Sequence, residues 1–140
     1  MSDTINENFT ILIPTLNEEK NIKRLIETIL SLYPSINITV VDDGSSDDTV
    51  KLVNEFNDVV SLINRKDNDI KGLSISIKDG IFSVKTKFFM VIDGDFQHPP
   101  EAIKDAIKCS NENPEFIIGH RIKVEEWPFL RKLIDRKSVV

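Results

Sequence analysis

The 140-residue sequence is 40% hydrophobic and 29% charged, a composition that supports one buried core and predicts a single domain over residues 1–140. Its 18 Lys and Arg stand against 23 Asp and Glu, and the net charge of −5 argues against a nucleic-acid-binding protein. One cysteine, a start without a signal-like segment and no apolar run near ~20 residues argue against a secreted disulfide scaffold and a membrane span, and predict a cytoplasmic protein.

Five short segments rich in β-branched and aromatic residues predict strands. Each is nearly continuous in apolar residues, which is typical of strands that are covered on both faces. In chain order they are residues 9–14, 37–41, 59–63, 87–92 and 115–118.

Helical patterns lie between these segments. From Ile22 to Tyr33, apolar residues recur with the spacing of one helix face. Two shorter apolar stripes begin at Val50 and at Ile103. The last stripe also carries Cys109, which the pattern assigns to the core. Residues 73–77 alternate like a strand, but the order of elements favours a helix whose apolar face is Leu73, Ile77, Ile81 and Val84.

Polar residues mark the predicted helix starts. Asn17, with Glu18 and Glu19 after it, is predicted to cap the first helix, and Ser45 or Ser46 to cap the second. Pro99 and Pro100 fit the first positions of a later helix. Strands that alternate with helices predict an α/β fold with a mainly parallel sheet and helices on both faces.

Polar loops follow four of the predicted strands. Ligands of open parallel sheets bind beyond the carboxyl ends of the strands, so these loops are expected to meet at one edge. They begin at Pro14, Asp42, Asp93 and Gly119. Their convergence is the strongest functional signal in the sequence.

Asp93-Gly94-Asp95 places two carboxylates close together directly after a buried strand. A hard cation such as Mg²⁺ or Mn²⁺ would relieve their repulsion, and Gln97 could add a carbonyl oxygen. A plain acidic turn is the alternative, since Asp-Gly is a common turn dipeptide. The neighbouring polar strand ends favour the metal site.

Asp42 and Asp43 can be interpreted in two ways. They can form a turn before a capped helix, or one carboxylate can accept hydrogen bonds from a nucleotide base or ribose. His98 and His120 are in no recognisable ligand spacing and are predicted to be polar loop residues.

Four motifs in order resemble glycosyltransferase family 2, and within it the dolichyl- or polyprenyl-phosphate mannosyl- and glucosyltransferases. The resemblance extends from about residue 8 to residue 137. The motifs are Ile13-Pro-Thr-Leu-Asn-Glu-Glu, Val40-Val-Asp-Asp-Gly-Ser-Ser-Asp-Asp-Thr, Val91-Ile-Asp-Gly-Asp-Phe-Gln-His-Pro-Pro-Glu and Ile118-Gly-His-Arg.

This resemblance implies an A-type nucleotide-diphospho-sugar transferase fold. It also implies metal-dependent, inverting transfer of a sugar from GDP-mannose or a UDP-sugar to a polyprenyl or dolichyl phosphate. No catalytic base is identified. A phosphate acceptor would explain this, because a phosphate monoester is largely dianionic at neutral pH. A truncated chain would explain it equally well.

The resemblance also implies a set of site residues. Asp43 would face the base or ribose, Asp93, Gly94 and Asp95 would meet ribose and diphosphate, and Arg121 would face the sugar diphosphate. The cation, Mg²⁺ or Mn²⁺, would be held by Asp93, Asp95 and Gln97. The residues implied to line the nucleotide-sugar site are Pro14, Leu16, Glu18, Val41, Asp43, Asp93, Gly94, Asp95 and Arg121.

The sequence departs from the family pattern in two residues and in length. Leu16 stands where many members have Tyr, and Ser74 where a second Gly is frequent. Members continue well past the fifth strand, so the acceptor-binding C-terminal part is expected to be largely missing.

Three other classes of protein share some of these features. One is a catalytically incomplete module that binds nucleotide sugar. A receiver-type signalling domain fits poorly, because Ile63-Asn64 stands where its acceptor Asp would be. A haloacid-dehalogenase-type phosphatase carries its Asp-x-Asp motif on the first strand, not the fourth.

The C-terminal residues 120–137 carry six Lys and Arg against three acids. Trp127 and Phe129 begin an apolar stripe there, and a basic amphipathic helix of this kind suits a lipid headgroup region. The stripe predicts a peripheral contact with the cytoplasmic membrane face or with a membrane-protein partner. The alternative is that it covers the sheet.

Overall fold

The computed structural model describes residues 7–112, which form an open parallel sheet with helices on both faces. The strands are β1 (Phe9–Thr15), β2 (Asn37–Asp42), β3 (Val60–Asn64) and β4 (Phe88–Val91). The helices are α1 (Ile22–Leu32), α2 (Thr49–Asn54), α3 (Leu73–Ser83) and α4 (Ile103–Ser110), and a 3-10 turn at Pro100–Ala102 precedes α4. The strand order is β3-β2-β1-β4 and all pairs are parallel. The predicted α/β fold is confirmed.

One face of the sheet carries the main hydrophobic core. Every residue of β1 is buried, because this strand is paired on both edges and covered on both faces. Helix α1 begins at Ile22, and its buried stripe follows the predicted helical period. Most core residues on this face come from β1, β2 and three helices, and they include Ile11, Ile13, Val40, Leu25, Ile26, Ile29, Val53, Ile103 and Ile107.

Helix α3 covers the opposite face and packs through its small residues. Ser76 and Gly80 are buried, whereas Leu73 is 60% and Ile81 is 41% exposed. The helix was predicted correctly, but its predicted apolar face is wrong. A Cβ at Gly80 would lie 3.0 Å from Val41 Cγ2, so the missing side chain allows the helix to lie this close to the sheet.

We expect Gly80→Val to lower the melting temperature clearly. The added side chain would enter a packed contact, and overpacking of this kind costs ~1–3 kcal/mol of unfolding free energy. Ile81→Val is the matched control, since it places the same residue one position along at an exposed site of the same helix. Thermal unfolding of both variants checks this, and equal melting temperatures would contradict the close packing.

Three further sequence predictions are wrong. Cys109 is exposed, because α4 buries Ile103, Ile107 and Ser110 on its other side. Asn17 does not cap α1, whose cap position is Asn21. Neither Ser45 nor Ser46 caps α2, which begins at Thr49 after Asp48. Pro100 does begin the 3-10 turn before α4, as predicted.

Several predictions fall on residues outside the described range. They are the fifth strand at residues 115–118, Arg121, His120 and the basic apolar stripe of residues 120–137. These stay predictions. Within residues 7–112, no helix combines the length and the apolar character needed to cross a bilayer.

Candidate functional site

The loops after β1 and β2 interlock at the carboxyl edge of the sheet. The Glu18 N–H donates to Thr49 Oγ1 at 2.8 Å, and the Glu19 N–H donates to Asp47 Oδ2 at 3.2 Å. In return, the Asp48 N–H donates to Glu19 Oε2 at 3.0 Å. The sequence pattern predicted that polar residues of these loops cap the helix that follows each loop. In the structure, hydrogen bonds of these polar groups connect the two loops instead.

Asp42 organises the turn after β2. Its carboxylate is fully buried and accepts hydrogen bonds from the Thr15 hydroxyl at 2.8 Å and the Ser45 hydroxyl at 2.5 Å. It also accepts from the N–H groups of Gly44 and Ser45, at 3.1 and 2.8 Å. Gly44 has a φ of 95°, a conformation that favours glycine. Of the two adjacent acids, Asp42 is therefore the structural one.

Asp43 is held by a buried arginine. Its side chain is 9% exposed, pairs with the Arg65 guanidinium and accepts a hydrogen bond from the Gly72 N–H at 2.7 Å. The Arg65 side chain is 2% exposed and also donates to Asp79 at 2.7 Å and Ser76 at 3.1 Å. No role for Arg65 was predicted from the sequence. The sequence did contain a signal for this role. Arg65 directly follows β3, and β3 pairs with β2, at whose end Asp42 and Asp43 lie.

Glu18 lies against the Asp93-Gly94-Asp95 turn. A Cβ at Gly94 would be 3.2 Å from Glu18 Cγ, so glycine permits this approach. Burial raises the pKa of Glu18, a hydrogen bond with Asn21 opposes the rise, and the charges of Asp95, Asp47 and Asp93 add to it. The structure thus brings together the predicted acids of the first and fourth strand ends.

The acidic turn is constrained by its own neighbours. Asp95 accepts from the Gln97 N–H at 3.1 Å and from the Gln97 side-chain amide at 2.6 Å. The Asp93 N–H donates to His98 Nδ1 at 3.2 Å. Phe96 has a φ of 62°, and the Arg24 guanidinium lies 4.4 Å from its ring centroid. The two bonds from Gln97 fix the direction of the Asp95 carboxylate.

The residues of this turn fit a divalent cation that takes only one or two ligands from the protein and the rest from phosphate oxygens and water. Within residues 7–112, no group of three or more His, Cys, Asp or Glu side chains is arranged to hold a metal. Mg²⁺ commonly binds through one or two carboxylates, with phosphate oxygens and water completing its shell. Two carboxylates are present in this turn, those of Asp93 and Asp95. The Asp93 side chain is 45% exposed and can therefore be reached by a ligand. In the structure Gln97 donates to Asp95, so its expected role as an oxygen ligand stays a prediction.

The other predicted site residues occupy two environments. Leu16 is 56% exposed beside the acidic loops. Pro14 and Val41 are buried and face each other as partners in the register of β1 and β2. Beside Arg65 lies a cavity of about 300 Å³, lined also by Asn68, Asp69, Ile70, Ile75 and Asp79.

We expect Glu18→Gln to raise the melting temperature near pH 7 in the absence of divalent metal. Because the folded protein raises the Glu18 pKa above its ordinary 4.5, it binds that proton more tightly than the unfolded chain does. The unfolding free energy therefore falls as pH rises from 4.5 through the raised pKa, and the glutamine variant lacks this loss.

The measurement is thermal unfolding of wild type and Glu18→Gln at about pH 4 and about pH 7. The difference between them should shrink at the lower pH, where Glu18 is protonated in both states. Glu27→Gln, on the exposed side of α1, is the control. A difference independent of pH would contradict a raised Glu18 pKa.

Comparisons with known proteins agree with this fold. The family model for glycosyl transferase family 2 matches residues 10–137. The chain is 36% identical over 139 residues to a dolichol-phosphate mannosyltransferase of Pyrococcus furiosus, covering 94% of this chain and 39% of that protein. It thus spans about two fifths of this relative's length.

Two solved structures share the fold. A mannosyltransferase from Pyrobaculum calidifontis, in complex with GDP-Man and Mn²⁺, has a TM-score of 0.64 and 20% identity, over 74% of this chain and 32% of that one. Glucosyl-3-phosphoglycerate synthase from Mycobacterium tuberculosis, in complex with Mn²⁺, UDP and glucosyl-3-phosphoglycerate, has a TM-score of 0.57 and 20% identity, over 68% of this chain and 38% of that one. The expected A-type fold is confirmed.

Proposed function

This chain belongs to glycosyltransferase family 2, and on that premise we propose that residues 7–112 bind the nucleotide-sugar donor of an inverting glycosyltransferase. The donor class is GDP-mannose or a UDP-sugar. The acceptor is a polyprenyl or dolichyl phosphate, as the name of the archaeal relative suggests.

The observation that carries this proposal is the meeting of three strand-end loops at one edge of the sheet. Glu18 and the Asp93-Gly94-Asp95 turn form an acidic cluster whose repulsion adds to the rise in the Glu18 pKa. The Asp43 carboxylate is held in place nearby by Arg65 and Gly72. Such a cluster suits a cation that itself binds a diphosphate, beside an acceptor for base or ribose hydrogens.

The proposed cofactor is Mg²⁺ or Mn²⁺, held by Asp93 and Asp95 with Gln97 close by. The bound cation would supply positive charge where negative charge develops on the departing nucleotide diphosphate. The carboxylates of this chain would orient the ligand and hold the cation, and Arg121 would add a further positive charge. A lipid phosphate needs no base to remove a proton before it attacks.

A module that binds donor without transferring sugar is the second candidate. It rests on the same observation, because the acidic cluster of Glu18, Asp93 and Asp95 suits donor binding whether or not sugar is transferred. Titration with polyprenyl phosphate and product detection would separate the two candidates.

The test of donor binding is calorimetric titration of the chain with GDP, UDP, GDP-mannose and UDP-glucose, with Mn²⁺ and with EDTA. We expect one nucleotide series to bind, and to bind much more tightly with metal than with EDTA. The absence of binding in every condition would overturn the proposed function.

A further inference from the structure

We propose that Asn17 is a positioning residue for the donor site, whose backbone and side-chain amide together fix the directions of Leu16 and Glu18. The inference rests on the proposed function, because it concerns how that site holds its nucleotide sugar. Leu16 and Glu18 flank Asn17 in sequence, and the family resemblance gives both of them roles in binding.

The backbone of Asn17 is in the left-handed region. Its φ is 56°, which costs most residues free energy and which asparagine tolerates better than other non-glycine residues. The peptide groups on either side of Asn17 take their relative direction from this conformation. A change to an extended or right-handed backbone would therefore turn either Leu16 or Glu18 away from its present position, in which Glu18 lies against Gly94.

Hydrogen bonds to the loop after β2 hold this conformation. The Asn17 N–H donates to Ser45 Oγ at 2.8 Å, and Asn17 Oδ1 accepts from the Ser46 N–H at 2.8 Å. The Ser46 hydroxyl lies 3.3 Å from the same oxygen. Ser45 in turn donates to the buried Asp42 carboxylate at 2.5 Å, so Asn17 is connected to the rigid end of β2.

A helix-capping role does not account for these contacts. The cap position of α1 is Asn21, and the side-chain bonds of Asn17 run to the loop before α2. The contacts therefore serve the arrangement of two loops at the site, with Leu16 and Glu18 as the side chains that depend on it.

Three substitutions separate the two properties of Asn17. Asn17→Gly keeps the left-handed backbone and loses the acceptor oxygen, Asn17→Asp keeps both, and Asn17→Ala loses both. We expect nucleotide diphosphate affinity to fall about tenfold or more in Asn17→Ala and about threefold in Asn17→Gly. Asn17→Asp should stay within about threefold of wild type in ~0.3 M salt, which screens its added charge.

Binding is measured by calorimetry of the 140-residue chain with GDP or UDP and Mn²⁺, below the melting temperature of every variant. Asn57→Ala is the control, an exposed asparagine in the turn before β3 at the opposite edge of the sheet. It should leave affinity unchanged. The rescue of affinity by Asn17→Asp is a result that general loss of stability would not produce.

A coupling measurement tests whether Asn17 acts through its neighbour. In a Glu18→Gln background, Asn17→Ala should lose much of its effect on affinity, because the side chain that it positions no longer contributes fully. Full additivity of the two substitutions, or equal affinity in all Asn17 variants, would overturn the positioning role while wild-type binding stands. The absence of binding by wild type would overturn the proposed function and this inference together.

Discussion

Asp95→Ala is expected to weaken GDP or UDP binding in Mn²⁺ by at least ~10–100-fold, the range lost when even an outer partner of a metal ligand is removed. In EDTA this loss of affinity should disappear or reverse. Without a cation, the Asp95 carboxylate repels the ligand diphosphate, so its removal should leave the affinity equal or improved. The diagnostic result is that Asp95→Ala lowers the nucleotide affinity in Mn²⁺ but not in EDTA.

The measurement is calorimetric titration of wild type and Asp95→Ala in both conditions. Asp58→Ala is the matched control, since Asp58 is an exposed acid in the turn before β3, at the opposite edge of the sheet. An Asp95→Ala variant that binds as tightly as wild type in Mn²⁺ would show that the cation is held elsewhere.

Arg65→Ala is expected to lower the unfolding free energy by ~3–5 kcal/mol, because it leaves the Asp43 carboxylate buried without its cation. Asp79 and Ser76 would lose the same partner. The Lys23–Glu55 ion pair is a matched control within the same chain. Its side chains are 45% and 44% exposed, so Lys23→Ala should cost less than ~1 kcal/mol.

Urea denaturation of the single variants and of Arg65→Ala/Asp43→Asn measures both effects. Neutralising Asp43 should recover part of the loss, since the uncompensated charge is then absent. If Arg65→Ala does not fold, Arg65→Lys provides the comparison, with a single cation that cannot reach all the partners of the guanidinium. Equal costs for Arg65→Ala and Lys23→Ala would contradict the buried network.

The four described strands and α1 could be predicted because their signals are local. The continuous apolar run of β1 reflects burial of the whole strand, and the helical period from Ile22 to Tyr33 reflects burial of one helix face. Both patterns can be recognised from residues that are close in sequence. The convergence of the strand-end acids followed from parallel topology alone, since parallel strands place their carboxyl ends at the same edge.

The contacts that were missed connect residues distant in sequence. Helix α3 packs through Gly80, and a periodicity count that scores large apolar side chains assigns the core to the wrong face. Capping preferences describe one helix at a time, so they could not show that Asn17 would bond to Ser46 in another loop. Arg65 was missed because its partner Asp43 follows the adjacent strand β2 and lies 22 residues away in sequence.

The central position of β1 has a consequence for the order of folding. Its pairing with β4 joins segments that are distant in sequence, and the contact between the hydroxyls of Thr10 and Thr86 spans 76 residues. Loop closure over such a separation costs more entropy than the pairing of β1 with β2, so β4 is expected to join the sheet last. Pulse-labelled hydrogen exchange would detect late protection of β4 amides, and protection simultaneous with β2 would contradict this order. Asp93 and Asp95 follow β4 directly, so the acidic cluster would form only at the final step of folding.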